Sequence, residues 1–132
     1  MIAQLTASLE FHGQSLLLRA ERQRLIASNI ANADTPGYKA RDFDFASALR
    51  AATGGTGPGE GIAASVMSPT GRVRPELRYA LSSQVHLDSN TVDMDRERAS
   101  FADNAVKYES TLRFINGNVR TVLDAMKSPG QA

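Results

Sequence analysis

The last third of the chain carries an apolar pattern that few folds can satisfy. Two series of apolar residues recur every seven positions, offset from each other by four residues. The first series is Met94, Phe101, Tyr108, Ile115 and Val122, and the second series is Ala105, Leu112, Val119 and Met126. Spacings that alternate between four and three residues predict a helix that packs along a neighbouring helix. Such a helix, from Asp93 to about Lys127, would be about 50 Å long.

The N-terminal residues 2–32 predict a second long helix, because Gly13 is their only glycine and they contain no proline. A broad apolar face of this helix is formed by Ile2, Leu5, Leu9, Leu16, Ala20, Ala27 and Ala31. A thinner apolar line on the opposite side is formed by Phe11, Leu18 and Leu25. Two apolar faces leave two interpretations open, a helix between neighbours on both sides or a helix buried in a small bundle.

A proline ends the first helix. Pro36 has no backbone N–H and disfavours the helical conformation in the residue before it, so the helix should stop near Ala33. Gly37 follows directly, which predicts a turn. The short polar side chains before this turn are expected to satisfy free backbone groups at the helix end: Asn29, Asn32 and Asp34.

The middle of the chain predicts little regular structure. An extended segment at 41–45 and an amphipathic turn from Phe45 to Arg50 are both plausible from the alternation of Phe and Asp. Glycines dominate residues 54–61, and residues 51–75 are expected to be flexible. Weak alternation between Glu76 and Asn90 allows short strands, and Asp93 is the expected N-cap of the last helix.

The predicted fold is therefore mainly α. Residues 1–35 form an N-terminal helix, residues 36–92 a turn, an extended segment and a Gly-rich insert, and residues 93–127 a C-terminal heptad helix. The two long helices are expected to form a coiled-coil-like hairpin around a largely irregular or partly β, flexible middle. Neither helix would be stable alone, so each needs the other, further subunits, or both.

Composition excludes several classes of function. The chain has 15 basic and 14 acidic residues, a balance that argues against a general nucleic-acid binder. It has no cysteine, which excludes disulfides and thiolate metal sites. No apolar run is long enough for a membrane span, and no cleaved signal peptide is evident. These features fit a cytoplasmic protein or one exported without a cleaved signal.

The sequence contains no convincing catalytic constellation. His12 and His86 are the only histidines, and His12 adjoins the broad apolar face of the first helix, where packing explains it. The acids at 88, 93 and 95 do not have the spacing of a calcium loop, and helix capping accounts for them better. We therefore expect no enzyme activity, no metal and no cofactor. A self-assembling subunit and a soluble coiled-coil adaptor or export chaperone both remain open.

Two blocks of the chain resemble a known family. Residues 28–39, Ser-Asn-Ile-Ala-Asn-Ala-Asp-Thr-Pro-Gly-Tyr-Lys, resemble the N-terminal signature of the bacterial flagellar axial proteins, which include the rod and hook proteins. Residues 40–45, 90–97 and 101–105, with Tyr108, are similar to the proximal rod members of this family. The Gly-rich middle matches nothing distinctive, as expected of a variable insert.

The resemblance implies a structural subunit of the flagellar basal-body rod, which lies in the periplasm. Its partners would be copies of itself, other rod proteins and the ring-to-rod adaptor. It would transmit torque from the membrane ring to the distal rod and hook. It would be exported through the flagellar type III apparatus, without a cleaved signal peptide.

The expected subunit interface combines the apolar faces with the family's signature residues. It comprises Leu5, Leu9, Leu16, Leu18, Leu25, Asn29, Asn32, Thr35, Pro36, Gly37, Tyr38, Phe101, Ala105, Tyr108, Leu112, Ile115, Val119, Val122 and Met126. The signature residues would fix the exit of the first helix and contact adjacent subunits.

Overall fold

Three helices dominate the computed structural model, which describes residues 2–54, 77–79 and 87–127. Helix α1 spans Ile2–Ala31, helix α2 spans Phe45–Ala52, and helix α3 spans Met94–Met126. Strands β1, Arg41–Asp42, and β2, Arg78–Tyr79, form a two-stranded antiparallel sheet. The prediction of a mainly helical fold with two long terminal helices is confirmed.

The two long helices form an antiparallel hairpin. The side-chain amide of Asn104 on α3 donates to the carbonyl of Arg19 on α1 at 2.9 Å. Further along α3, the amide of Asn118 donates to the hydroxyl of Ser8 at 3.2 Å. Residues nearer the end of α3 thus lie beside residues nearer the start of α1, so the two helices are antiparallel. This confirms the predicted coiled-coil-like hairpin.

The helix boundaries follow from local capping. Asp93 caps α3 as predicted, since its carboxylate accepts from the backbone N–H groups of Asp95 and Arg96, both at 3.2 Å. Asp44 caps α2 in the same way and also accepts from the Ser47 hydroxyl at 2.9 Å. The hydrogen bonds from Ser47 lower the pKa of the Asp44 carboxyl.

The small apolar core lies on the thinner apolar line of α1. Leu18 and Leu25 are buried there together with Phe43 and Ala48, and partly buried residues of α2 surround them. The broad face of α1 does not form the core, because the segment from Phe43 to Ala52 supplies its large side chains to the other side. Ala20, Ala27 and Ala31 on the broad face remain exposed, and they have little surface to bury.

The sheet is short. Arg41 pairs with Tyr79 and Asp42 pairs with Arg78, and the Arg41 guanidinium lies 5.9 Å from the centre of the Tyr79 ring. The extended segment predicted at 41–45 is thus only two strand residues long, because Asp44 starts a helix. The predicted flexibility beyond Gly54 and the predicted strand residues between Tyr79 and Leu87 fall outside the described residues.

Candidate interaction surface

The base of the hairpin, residues 29–43 and 87–97, is organised around buried polar side chains. Asn29 is only 1% exposed and contacts the backbone of Arg41 twice. Its Nδ2 donates to the Arg41 carbonyl at 2.9 Å, and its Oδ1 accepts from the Arg41 N–H at 3.1 Å. The Tyr38 hydroxyl donates to the same Oδ1 at 3.1 Å. Asn29 therefore ties α1 to β1 instead of capping the helix end.

Asn90 fastens the turn after α1 to the segment before α3. It is 1% exposed, and its Nδ2 lies within 2.9 Å of three backbone carbonyls. These acceptors belong to Asn32, Ala33 and Thr35. Its Oδ1 accepts from the Val92 N–H at 2.8 Å. With its two N–H hydrogens, this one amide bridges the three carbonyls, of which those of Asn32 and Thr35 also accept from the backbone N–H groups of Thr35 and Tyr38.

Backbone contacts complete this base. The N–H of Gly37 donates to the carbonyl of Asp88 at 2.8 Å, and the N–H of Thr91 donates to the carbonyl of Tyr38 at 3.0 Å. Gly37 has φ of 72°, a left-handed conformation that glycine adopts without strain. The signature turn and residues 87–91 therefore form one hydrogen-bonded unit.

Glu97 places an acid inside the base of the hairpin. It is 8% exposed and lies on the face of α3 that is directed at α1. Burial raises the pKa of its carboxyl, and the charges of Asp42 and Asp93 act in the same direction. A hydrogen bond with the Asn29 side chain and the charge of Arg96 partly oppose this rise.

The arginine run on α1 is used within the chain. Arg22 contacts Asp42 at 3.4 Å, and Arg24 contacts Glu21 at 2.6 Å on the helix surface. The Arg19 guanidinium stacks on Phe45, with its carbon 4.3 Å from the ring centre. Burial lowers the pKa of Arg19, helped by the neighbouring Arg22. These contacts make this part of α1 a largely ion-paired helix face.

The structure treats the two apolar series of α3 differently. In the first series, Tyr108, Ile115 and Val122 are partly buried, whereas Phe101 remains 41% exposed. The exposed residues of the second series are Ala105, Leu112, Val119 and Met126. The positions that complete the contact with α1 belong instead to a polar series, formed by Glu97, Asn104, Thr111 and Asn118.

The exposed second series adjoins the broad face of α1. A shallow groove of about 410 Å³ between the two helices is lined by Ala20, Ala27, Ala105 and Tyr108, with the polar residues Gln23 and Arg24. Towards the N-terminus of α1, the broad face continues through Leu16 and Leu9, which are partly buried. We call this surface the apolar flank, and it consists of Leu9, Leu16, Ala20, Ala27, Ala105, Leu112, Val119 and Met126.

The remaining predicted interface residues divide between the interior and the surface. Leu18 and Leu25 lie in the core, and Asn29 lies in the base, so these three are covered within the chain. The partly buried ones are Leu5, Asn32 and Tyr38. The signature residues Thr35, Pro36 and Gly37 are exposed on the turn at the base.

Two residues that position this surface escaped the sequence analysis. Asn90 reads only as part of a turn, because its partners lie 55–58 positions away. Asn104 falls between the two apolar series and reads as a solvent-facing residue. Asn104 lies three residues after Phe101, and residues at that spacing are neighbours on the helix surface. This spacing is the one signal that could have placed Asn104 on the face towards α1.

Within the described residues, no helix is long and apolar enough to cross a membrane. The same residues contain no cluster of three or more histidine or acidic side chains arranged to hold a metal ion.

Comparison with known proteins first identifies the class of protein to which the chain belongs. A family profile described as "Flagella basal body rod protein" matches residues 9–39, which include most of α1 and the signature turn. The chain is 41% identical over 136 residues to the flagellar basal body rod protein FlgB of Escherichia coli K12, covering 97% of this chain and 99% of that protein.

Other relatives give the same result. FlgB of Salmonella typhimurium LT2 is 43% identical over 139 residues, covering 96% of this chain and 98% of the relative. FlgB of Yersinia enterocolitica is 41% identical over 135 residues, with the same coverage. The chain belongs to the FlgB family of flagellar basal body rod proteins. These relatives bear the names of rod proteins, and no family of enzymes is indicated.

Proposed function

We propose that this protein is a subunit of the proximal rod of the flagellar basal body and that it assembles through its terminal helices. It would bind other copies of itself and other rod proteins, with the ring-to-rod adaptor at one end. The exposed apolar flank is the observation that supports this proposal most strongly. A chain of this size normally buries such residues against itself, but here they line one side of the hairpin.

The apolar flank has the character of a helix-packing surface. Its residues repeat every seven positions on α3, and small alanines on both helices leave a groove for another helix. Each large side chain that becomes buried there would contribute about 1.5–3 kcal/mol. Such a gain would offset part of the cost of ordering the helix ends in an assembly.

The turn at the base would supply a second contact region. Thr35, Pro36 and Gly37 are exposed, and the hydrogen bonds of Asn90 and Asp88 hold their backbone in place. A fixed turn can contact an adjacent subunit with little further loss of conformational entropy. We infer that this firm base would also let the subunit transmit torque from the membrane ring towards the distal rod and hook.

Export fits the same proposal. The core is small, with only Leu18, Leu25, Phe43 and Ala48 buried in it among the described residues, so unfolding for passage through a type III export apparatus would cost little. The protein would then travel without a cleaved signal peptide and complete its packing in the rod.

The contact between subunits would also include the partly buried residues of the first series, which would form its inner border: Tyr108, Ile115 and Val122.

An aspartate scan of α3 tests this function. Leu112→Asp places a charge on the apolar flank, where it would be buried without a partner in the assembly. Val106→Asp is the matched control, because Val106 is 66% exposed and lies on the side of the same helix away from α1. Circular dichroism of both purified variants checks the hairpin, and isolated basal bodies are then probed for the subunit.

We expect Leu112→Asp to stay folded but fail to enter basal bodies, with loss of swimming. Val106→Asp should be incorporated, and its cells should swim. Normal swimming of the Leu112→Asp strain would contradict the proposal. If the unaltered protein instead formed a fixed small oligomer that never entered basal bodies, a soluble adaptor or export chaperone would be the better account.

A further inference from the structure

Helix α3 does not turn its most apolar face towards its own partner helix. Its contact with α1 alternates between the first apolar series and the polar series of Glu97, Asn104, Thr111 and Asn118. The second apolar series lies one residue further along the chain and remains exposed. Hydrophobic burial alone therefore does not explain the orientation of α3 about its axis.

A small rotation would give a more apolar contact. Neighbouring residues of an α-helix are 100° apart, so turning α3 by about 50° would exchange the polar series for the second apolar series. Leu112 and Val119 would then be directed at α1, where polar groups lie now. Something must oppose this rotation, and among the described residues the hydrogen bonds between the helices are the contacts whose geometry does so most specifically along this part of α3, beside the stacking of His12 on Phe114.

Asn104 makes the strongest of these bonds. It is 3% exposed, and its Nδ2 donates to the Arg19 carbonyl at 2.9 Å and to the Gln23 Oε1 at 2.7 Å. Two turns before the end of α3, Asn118 donates to Ser8 at 3.2 Å. Both amides would lose these partners if α3 rotated, and a buried amide without partners costs about 1–3 kcal/mol.

The contact is not optimised for the stability of the single chain. The Oδ1 of Asn104 and the Nε of Arg19 are both buried without a hydrogen-bond partner among the described residues. An apolar side chain at position 104 would avoid this cost. Buried polar residues kept at such a cost serve in some coiled coils to select one packing arrangement over its alternatives.

We propose that Asn104 and Asn118 are positioning residues that fix the orientation of α3 and thereby keep the second apolar series outside for assembly. The use of that series by neighbouring subunits rests on the proposed function above. The orientation itself is a property of the single chain. It can therefore fail or hold in solution independently of any assembly.

Thiol labelling of single-cysteine variants tests the orientation, since the natural chain has no cysteine. Ala105→Cys reports on the second series, and Val106→Cys reports on the side away from α1. Each reporter is placed in the unaltered chain and in the Asn104→Ala/Asn118→Ala background. The matched control background is Asn116→Ala/Thr121→Ala, which changes two exposed residues of the same helix to the same residue type.

In the Asn104→Ala/Asn118→Ala background, the thiol at position 105 should react at least about five-fold more slowly than in the unaltered chain, because α3 turns it towards α1. The thiol at position 106 should keep its rate, and the control background should change neither. Adding Leu112→Ser and Val119→Ser should restore fast labelling at 105, because the apolar competitor for the contact is then removed.

Two results would overturn the proposal. Unchanged labelling at position 105 would mean that the asparagines do not decide the orientation. Faster labelling at both positions, with loss of helical circular dichroism, would mean that they only hold the hairpin together. The restoring Ser variants distinguish a reoriented helix from any other cause of slow labelling.

Discussion

The two ends of the hairpin differ in how completely the chain fills them. At the base, residues 29–43 and 87–97 contain six buried residues, including Asn29, Asn90 and Glu97. At the open end, residues 2–14 and 112–126 contain none. The same two helices thus run from a hydrogen-bonded, locally complete structure into a region that exposes Val119, Leu123 and Met126. The difference indicates that the chain covers its own base more completely than its open end.

The contacts between the helices show the same contrast. The base is held by bonds between segments far apart in sequence, such as the three from Asn90. At the open end, the described side chains are linked across the helices by the bond from Asn118 to Ser8 and by stacking of His12 on Phe114, 5.7 Å between ring centres. Substitutions should therefore have large effects on the single chain at the base and small effects at the open end.

The largest effect is expected for Asn90→Ala. It removes the amide donor shared by three backbone carbonyls and the oxygen that accepts from the Val92 N–H, so the free energy of unfolding should fall by about 3 kcal/mol. Urea unfolding followed by circular dichroism measures the change. Asn116→Ala, an exposed asparagine on α3, is the control and should alter stability by less than about 0.5 kcal/mol. Equal losses of stability in the two variants would contradict the difference between the base and the open end.

A smaller loss is expected for Asp93→Ala at the start of α3. The variant loses the carboxylate that accepts from Asp95 and Arg96, at a cost of about 1 kcal/mol. Amide exchange in the first turn of α3 should accelerate more than exchange near residue 120. Uniform acceleration along α3 would contradict a base that stabilises the helix locally.

Glu97→Gln should stabilise the base in a pH-dependent way. Because burial raises the pKa of Glu97, the folded chain holds that proton to higher pH than the unfolded chain. The stability from this group is complete below the unfolded pKa of about 4.5 and is lost as pH rises through the folded value. The variant should therefore have a higher Tm than the natural chain at pH 7, corresponding to no more than about 1 kcal/mol in the free energy of unfolding. Near pH 4, the two chains should have the same Tm. A constant advantage from pH 4 to pH 7 would argue against a buried ionising carboxyl.

The smallest effect on the single chain is expected for Val119→Ala at the open end. Val119 is 41% exposed, so its truncation should change the free energy of unfolding by less than about 0.5 kcal/mol. The amount of this variant found in isolated basal bodies should nevertheless be clearly lower than that of the natural chain. A loss of stability comparable to that of Asn90→Ala would show that the open end is already packed.

The sequence predicted the parts of the fold that depend on local chemistry. The heptad spacing located α3, Asp93 marked its start, and Pro36 placed the end of α1 within a few residues. The hairpin also followed, because two long helices with apolar faces need a partner. These features are encoded within a few turns of the chain.

The arrangement of faces could not be predicted in the same way. The broad face of α1 has more apolar residues than the thinner line, but Phe43 packs on the thinner line of Leu18 and Leu25. The inward face of α3 includes Asn104, which donates to a carbonyl 85 positions away. Such choices rest on contacts between distant segments, which periodicity does not record.

Hydrogen exchange resolved by segment tests the central contrast most directly, on the unassembled chain and on purified basal bodies. In the unassembled chain, we expect slow exchange at residues 29–43 and 87–104 and fast exchange at residues 2–14 and 112–126. In the basal body, the open end should become as protected as the base. Strong and uniform protection of both helices in the unassembled chain would contradict the account, because nothing would then be left for neighbouring subunits to complete.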